Sequence, residues 1–457
     1  MNTRITDIIL PSLFCLALGH ACNTLAAPTL KLTRNTFEIA EAVDADILAQ
    51  IKAGIGKVDQ GKLGFSLSKI KDDDLAALCA AYPATTDLSI RDSAGLTSIA
   101  PVAGLKGLTS MRLEGSHKVA DLTPLAGLTG MQSLDLTGSE FAPDLKWMSA
   151  MTKLTRVTVK GYNASKKITS FEGIPSLPAL KSVNLGNTTP ADLTPLVSAL
   201  PALETLDLSY CVIKDLSPLA KLARLKELNL YGAEVKDFSP LAGAAALRKL
   251  TYYAVTGADF STLGKLTQVE NLQGGLTKLA DISWVADLPN LREFRVFAEY
   301  IKDYTPLAKT KVEHFTIWNM RETVDLTQLS GATSFSYLKL WGLKKATGFE
   351  GLATLVNIKE LTIDDVNQKE GIPVDMSFVK TLANVEKLTL TSSNVINFDA
   401  VAACVKLTSV DLNKSIGITS LAALKKLPAL KTLTVAKDAF PAAELEGFDA
   451  KVRITQR

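Results

Sequence analysis

The sequence predicts an α/β solenoid of about 15–16 stacked coils, with one parallel sheet and short helix or 3-10 return segments. Three observations carry that prediction. An apolar pattern L-x-x-L-x-L recurs with first residues at Leu108, Met131, Leu154, Leu180, Leu203, Leu225, Leu247, Val269, Leu291, Val312, Phe335, Ile358, Val385, Leu407 and Leu430. Most steps are 21 to 23 residues, too short for a separate domain and right for one coil. Each half-coil of strand type is followed by a second apolar group that begins, in five units, with Asp, an apolar residue, Ser or Thr, Pro and Leu, from Asp121, Asp192, Asp215, Asp237 and Asp303.

The unit Leu203–Leu222 shows the physics. Leu203, Leu206 and Leu208 point inward from a short strand, and Leu216, Leu219 and Leu222 return from the other side. One coil alone cannot bury that face, whereas stacked coils share a continuous apolar column. Ser-Pro-Leu is expected to supply an N-cap hydroxyl and a proline at the first helical position. The Asp residues are expected to bond backbone at turns and helix starts. A weaker copy begins at Thr85, with Leu88 and Ile90 as its strand residues.

The consensus resembles that of the internalin-type bacterial leucine-rich repeats over residues ~85–440. The resemblance implies a leucine-rich repeat horseshoe with a parallel concave sheet, acting as a binding surface, often for a host or cell-surface protein. Two departures limit it. Where that family carries a ladder of Asn, this chain has Ser116, Ser139, Thr188, Cys211, Ala233, Val255, Thr277, Ser393 and Ser415. Ser and Thr can bond the turn backbone; Ala and Val cannot. No sorting motif or wall module follows the repeats, so wall attachment does not carry over.

Taken in order, residues 1–27 read as an export signal: Arg4, an apolar core from Ile8 to Leu18, and Leu25-Ala26-Ala27 as a cleavage site. Acylation at Cys22 would require an aliphatic residue that Gly19-His20-Ala21 lacks. The mature chain has no integral membrane segment in this reading. Residues 28–84 are an N-terminal cap for the open end, with a helix over Ile39–Ile51, a first strand over Lys62–Ser68, and Asp72-Asp73-Asp74 opening a second helix. The repeat solenoid spans 85–440. Two longer steps mark insertions around Tyr162–Pro175 and Asp364–Pro373. Residues 441–457 form a C-terminal cap, with a helix over Ala442–Phe448 and a closing strand over Lys451–Thr455.

The 457 residues carry 50 Lys+Arg and 47 Asp+Glu, a net charge of +3 without a basic stripe. That balance argues against nucleic acid as a partner. No catalytic constellation, cofactor loop or metal-ligand spacing is present: His20, His117 and His314 are the only histidines, and the aspartates are scattered through the turns. Cys79, Cys211 and Cys404 are expected to be buried free thiols. The reading is therefore of a non-enzyme without cofactor or metal, exported to a periplasm, a cell surface or the medium.

The functional signal is positional. With the first apolar residue of each unit as 0, offsets 2, 4 and 6 face outward. Offset 6 runs Tyr231, Tyr253, Gly275, Phe297, Trp318, Trp341 in six consecutive units, in a chain only 6% aromatic. Arg295, His314, Tyr337 and Lys339 flank this row at offsets 2 and 4, and Gly275 is expected to leave a notch. Aromatic and Arg side chains ringed by polar groups are what protein interfaces select. Tyr231, Tyr253, Arg295, Phe297, His314, Trp318, Tyr337, Lys339 and Trp341 are accordingly the candidate contact residues for a protein partner. A glycan stacked on the same row, or a structural envelope component whose aromatics pack on one another, are the alternatives.

Overall fold

The computed structural model describes residues 29–457 except 117, 139–144, 161–169, 191, 277, 298, 319–322 and 368–371. The expected signal, His117, Ser139, Thr277 and most of the first insertion lie outside the described residues. The chain divides into two compact units, residues 1–225 and 226–457.

The first unit opens with β1 (Thr29–Thr33) and β2 (Thr36–Ala40), then α1 (Ala45–Gly54), β3 (Gly64–Ser68), α2 (Asp72–Ala81) and β4 (Asp87–Arg91). It continues through β5 (Ser110–Glu114), β6 (Ser133–Asp135), β7 (Arg156–Thr158), β8 (Ser182–Asn184), α3 (Thr194–Ala199) and β9 (Thr205–Asp207). β1 pairs antiparallel with β2, and from β2 to β9 the strands pair parallel in chain order.

This start corrects two expectations. Ile39–Ile51 is not one helix, because Phe37 and Ile39 are buried at strand spacing in β2. The helix starts only at Ala45, where the Asp44 carboxylate accepts the Ile47 N–H at 2.8 Å. β3 is likewise the third strand, and the β1–β2 hairpin covers an edge that would otherwise be open. The three aspartates do open α2, with divided roles. Asp74 accepts the N–H groups of Val43 and Lys71, while Asp72 accepts those of Thr97 and Ser98 in the next coil.

The second unit holds β10 (Glu227–Asn229), β11 (Lys249–Tyr253), β12 (Asn271–Gly275), β13 (Glu293–Phe297), β14 (His314–Trp318), β15 (Thr323–Asp325), β16 (Tyr337–Trp341), β17 (Lys345–Thr347) and β18 (Glu360–Asp364). β19 (Val374–Asp375), β20 (Lys387–Thr391), β21 (Val395–Ile396), β22 (Ser409–Asp411), α4 (Ala422–Lys425), β23 (Thr432–Val435), α5 (Ala442–Leu445) and β24 (Arg453–Gln456) follow. Its main sheet is parallel in chain order through β10–β14, β16, β18, β20 and β22–β24. β15–β17 and β19–β21 form two small parallel pairs apart from it. The last helix is shorter than expected, ending at Leu445.

Register aligns Leu250, Leu272, Phe294, Phe315, Leu338, Leu361 and Leu388 in one column, every one buried. Burying each such side chain stabilises the fold by roughly 1.5–3 kcal/mol. Phe294, Phe315 and Phe335 stack at centroid distances of 5.9 and 5.2 Å, which ties three coils together.

Most returns are 3-10 turns; the Ser and Thr hydroxyls expected as N-caps do not hold the cap position, while the aspartates bond backbone at the turn starts as expected. In the Ser/Thr-Pro-Leu units the residue before Ser or Thr holds the cap position without a side-chain bond, and the proline is second in the turn. That residue (Leu122, Leu216, Phe238 or Tyr304) faces the core, so its side chain cannot cap. The aspartate one residue earlier does: Asp121, Asp192, Asp215, Asp237 and Asp303 accept the N–H of Thr123, Thr194, Ser217, Ser239 and Thr305 at 2.7–2.9 Å. Bonding to the ionised carboxylate holds Asp237 and Asp303 below the usual carboxylate range, with the Ser239 and Thr305 hydroxyls the largest cause.

The position that lacks Asn bonds backbone only where it carries Ser, Thr or Cys. The Thr188 hydroxyl donates to Leu185 O, Ser393 to Thr391 O and Ser415 to Leu390 O. The buried Ser116 hydroxyl has no partner. A different ladder ties the coils, one residue before the repeat marker. Asn290, Asn357 and Asn384 donate to Thr267 O, Thr333 O and Val356 O of the preceding coil at 2.8–2.9 Å, and Gln268 does so to Leu241 O.

Candidate functional site

The outward offsets become rows because every main-sheet pairing in this region is in register. One row is Lys249, Asn271, Glu293, His314, Tyr337, Glu360; the next is Thr251, Gln273, Arg295, Thr316, Lys339, Thr362. The third is Tyr253, Gly275, Phe297, Trp318, Trp341, Asp364. Strands β11–β14 and β16 are five residues long and reach this row, whereas β10 stops at Asn229 and leaves Tyr231 just beyond it. Five-residue strands are not confined to the aromatic row, since β4, β5, β18 and β20 are as long and end on Arg91, Glu114, Asp364 and Thr391.

The aromatic row is two groups rather than one. Tyr231 and Tyr253 lie 6.4 Å apart with tilted rings. Phe297, Trp318 and Trp341 form a continuous stack, edge to face at 4.6 Å and then face to face at 4.6 Å. The expected notch at Gly275 is filled, because a Cβ there would lie 2.4 Å from the Phe297 Cβ. Phe297 is in consequence only 8% exposed. It packs edge to face against Trp318 from the adjacent strand and offers little surface of its own to a partner. Trp318 is half-buried, and Trp341 at the outer end is 37% exposed. Lys339 caps that end, its Nζ 5.1 Å from the Trp341 ring centre, a contact worth about 0.5–1 kcal/mol at an exposed site.

The polar flank is organised by pairs. Glu293 takes Arg295 at 2.5 Å and the Asn271 amide at 2.5 Å. Burial pushes the nearby Tyr253 phenol up, with Arg295 opposing and Glu293 adding. Glu360 takes Lys387 at 2.6 Å. His314 is exposed, its ring 5.7 Å from that of Tyr337. Between these groups lies an open depression of about 420 Å³, lined by Glu293, Arg295, His314, Thr316, Ser336, Tyr337, Lys359 and Glu360.

The structure thus brings Arg295, Phe297, His314, Trp318, Tyr337, Lys339 and Trp341 onto adjacent strands of one face, with Tyr231 and Tyr253 beyond Gly275. The sequence reading did not single out Lys359, which precedes β18, or Leu276, which follows Gly275. Leu276 has φ +55 and is 42% exposed, an unusual pairing of bulk and left-handed backbone. Its signal was available, since the same offset holds Gly115, Gly138, Gly232 and Gly342 in other units, all at positive φ.

Among the described residues no group of three or more His, Cys, Asp or Glu is arranged to hold a metal ion. Burial pushes the Cys79 and Cys404 thiols up to about 12 and about 11, which makes them poor nucleophiles at neutral pH. No helix of the described residues is long and apolar enough to cross a membrane.

The family model "Leucine Rich repeats (2 copies)" matches residues 201–243. No curated protein matches the chain. Among solved structures the chain is similar to an internalin from Listeria monocytogenes, at 20% identity over 81% of this chain and 95% of that one, with a TM-score of 0.47. A leucine-rich repeat protein of Leptospira interrogans is similar at 16% identity over 91% and 93%, TM-score 0.48. The Drosophila Toll–Spatzle complex contains a chain similar at 12% identity over 95% of this chain and 64% of that one, TM-score 0.58. That last likeness is one of fold alone.

Proposed function

We propose that the chain is an exported, non-enzymatic protein that binds another protein through the outward face of β13, β14, β16 and β18, a reading supported by the leucine-rich repeat match over residues 201–243 and by the repeated strand-and-turn coils. One observation carries the proposal: an exposed Trp341 at the end of a braced three-ring stack, flanked by Lys339, Tyr337, His314 and Arg295. A rigid aromatic anchor with polar neighbours loses little entropy on binding and has the composition of an interface hot spot. Self-stacking explains Phe297 and most of Trp318; it leaves the exposure of Trp341 unaccounted for. A flat glycan platform would require open ring faces. Here Trp341 covers Trp318 and Lys339 covers part of Trp341, which favours a protein partner. The Toll–Spatzle likeness is compatible with this reading, since a complex is what that structure contains.

Export rests on Arg4, the Ile8–Leu18 apolar core and the Ala26-Ala27 site. N-terminal sequencing of the protein from a fractionated native cell checks it, with Pro28 as the expected first residue. The binding reading is checked by affinity capture from the native setting, comparing wild type with Trp318→Ala/Trp341→Ala. A partner recovered equally by both removes the row from the interface.

A further inference from the structure

We propose that the occupant of this face is an acidic, extended segment of polypeptide, whose carboxylates meet Lys311 and Lys359 while an apolar side chain packs on Trp341. The proposal rests on the binding reading above and adds the partner's chemistry. The observation behind it is a charge imbalance. Beside the depression between Arg295 and Glu360 lies a second one of about 550 Å³, which shares Ser336 and Lys359 with it and is also lined by Arg292, Lys311 and Glu313. The carboxylates of the two depressions are already matched: Glu293 by Arg295, Glu313 by Arg292 and Glu360 by Lys387. Lys311 and Lys359 are exposed and have no carboxylate within ion-pair distance among the described residues. Lys339 has its Nζ over the Trp341 ring and no carboxylate within ion-pair distance among the described residues. The two depressions therefore keep an uncompensated positive charge at Lys311 and Lys359, whereas at the Trp341 end Lys339 is balanced by Asp364 on the adjacent strand, which among the described residues accepts only the Thr391 hydroxyl; the whole chain is nearly neutral at +3. A complementary partner brings negative charge, which favours encounter and fixes register.

Spacing adds a second constraint. Trp341 pairs with Asp364 at one end of β18, and Lys359 immediately precedes its other end. Five residues of strand separate them, roughly 16 Å. An extended segment lying along the strands spans that distance in four to five residues. Its carboxylates and its apolar side chain are spaced accordingly.

The test uses the purified full chain and synthetic twelve-residue peptides with one leucine and, four or five residues away, a pair of Glu, Gln or Lys. Binding is read by fluorescence anisotropy at low and physiological salt. The Glu peptides are expected to bind roughly ten-fold more tightly than the Gln peptides, and the Lys peptides least of all. Lys311→Gln/Lys359→Gln, at two exposed positions, should weaken the Glu peptides several-fold, leave the Gln peptides unchanged and reduce the salt dependence. Trp318→Ala/Trp341→Ala should weaken both. Equal affinity for Glu and Gln peptides, still lost in the tryptophan double mutant, overturns the acidic partner and leaves the binding face standing. Peptide binding indifferent to the tryptophans, or no peptide binding, overturns both. So does tryptophan-dependent capture of oligosaccharides in place of peptides.

Discussion

Phe297 lies directly against Gly275. A Cβ on Gly275 would sit 2.4 Å from the Phe297 Cβ and 2.5 Å from its backbone N, and Gly275 itself has φ +128. Gly275 therefore seats the base of the ring stack that ends at Trp341. Gly275→Ala is expected to destabilise the protein by roughly 2–4 kcal/mol, from overpacking plus a disfavoured backbone. Denaturant unfolding followed by tryptophan fluorescence measures it, and the near-UV circular dichroism of the Trp318–Trp341 pair should change with it. A variant as stable as wild type with unchanged dichroism would remove Gly275 as the seat.

One residue on, Leu276 has left-handed backbone and an exposed side chain, at an offset filled by glycine in several other units. The left-handed conformation costs a non-glycine residue about 1–2 kcal/mol, and little burial is lost by truncation. Leu276→Gly should raise stability by roughly 0.5–1.5 kcal/mol, the higher unfolded-state entropy of glycine offsetting part of the gain. Thermal melting of the two proteins checks the sign.

The repeat and the aromatic alignment were legible because unit length is nearly constant: a step of 21 to 23 residues per coil puts Tyr253, Phe297, Trp318 and Trp341 in one row by counting alone. The depth of Phe297 was not legible, because it depends on the φ of Gly275, which only the neighbouring coil enforces. The bonding of Asp237 to the start of its turn was legible, but the cap position was not, since Ser-Pro is itself a cap signal and the buried Phe238 holds that position instead of Ser239. The β1–β2 hairpin was hidden by apolar residues that fit either period. The Asn384–Asn357–Asn290 ladder was visible in principle, as amides immediately before the repeat marker.

The shifted cap has its own consequence. Asp237 accepts both the N–H and the hydroxyl of Ser239 at 2.7 Å. Asp237→Ala should cost about 1 kcal/mol, as loss of a helix cap does. Its carboxyl is held low in the fold, so its stabilisation is present above the unfolded value near 3.9 and lost as pH falls through the lower folded value. Wild type and Asp237→Ala should therefore converge in stability below about pH 4. A cost that persists unchanged at pH 2 would mean that the side chain acts by packing.

The Tyr252 hydroxyl is buried without a hydrogen-bond partner, in a cluster with Phe238 and Phe260. Burying an unpaired hydroxyl costs about 1–3 kcal/mol. Tyr252→Phe removes that cost and keeps the ring over Gly274. It is expected to raise stability by about 1 kcal/mol by chemical denaturation, and a destabilised variant would mean that the hydroxyl has a bound partner in solution.

Alkaline pH should weaken the fold, and the sign follows from burial. The Cys79 thiol is pushed from 9.0 to about 12 and the Cys404 thiol to about 11, and burial also raises the Tyr252 and Tyr304 phenols. The fold holds each of these groups in its neutral, protonated form, whereas the unfolded chain ionises freely. Their contribution is thus complete below about pH 9 and is lost as pH rises through the window up to about 12. At pH 10 each thiol should cost roughly 1 kcal/mol of stability. Cys404→Ala lowers stability at pH 7 by deleting a buried side chain and flattens the decline between pH 9 and 10.5. Melting temperatures at pH 7, 9 and 10.5 separate the two effects, and a decline as steep as that of wild type would place the Cys404 thiol within reach of solvent.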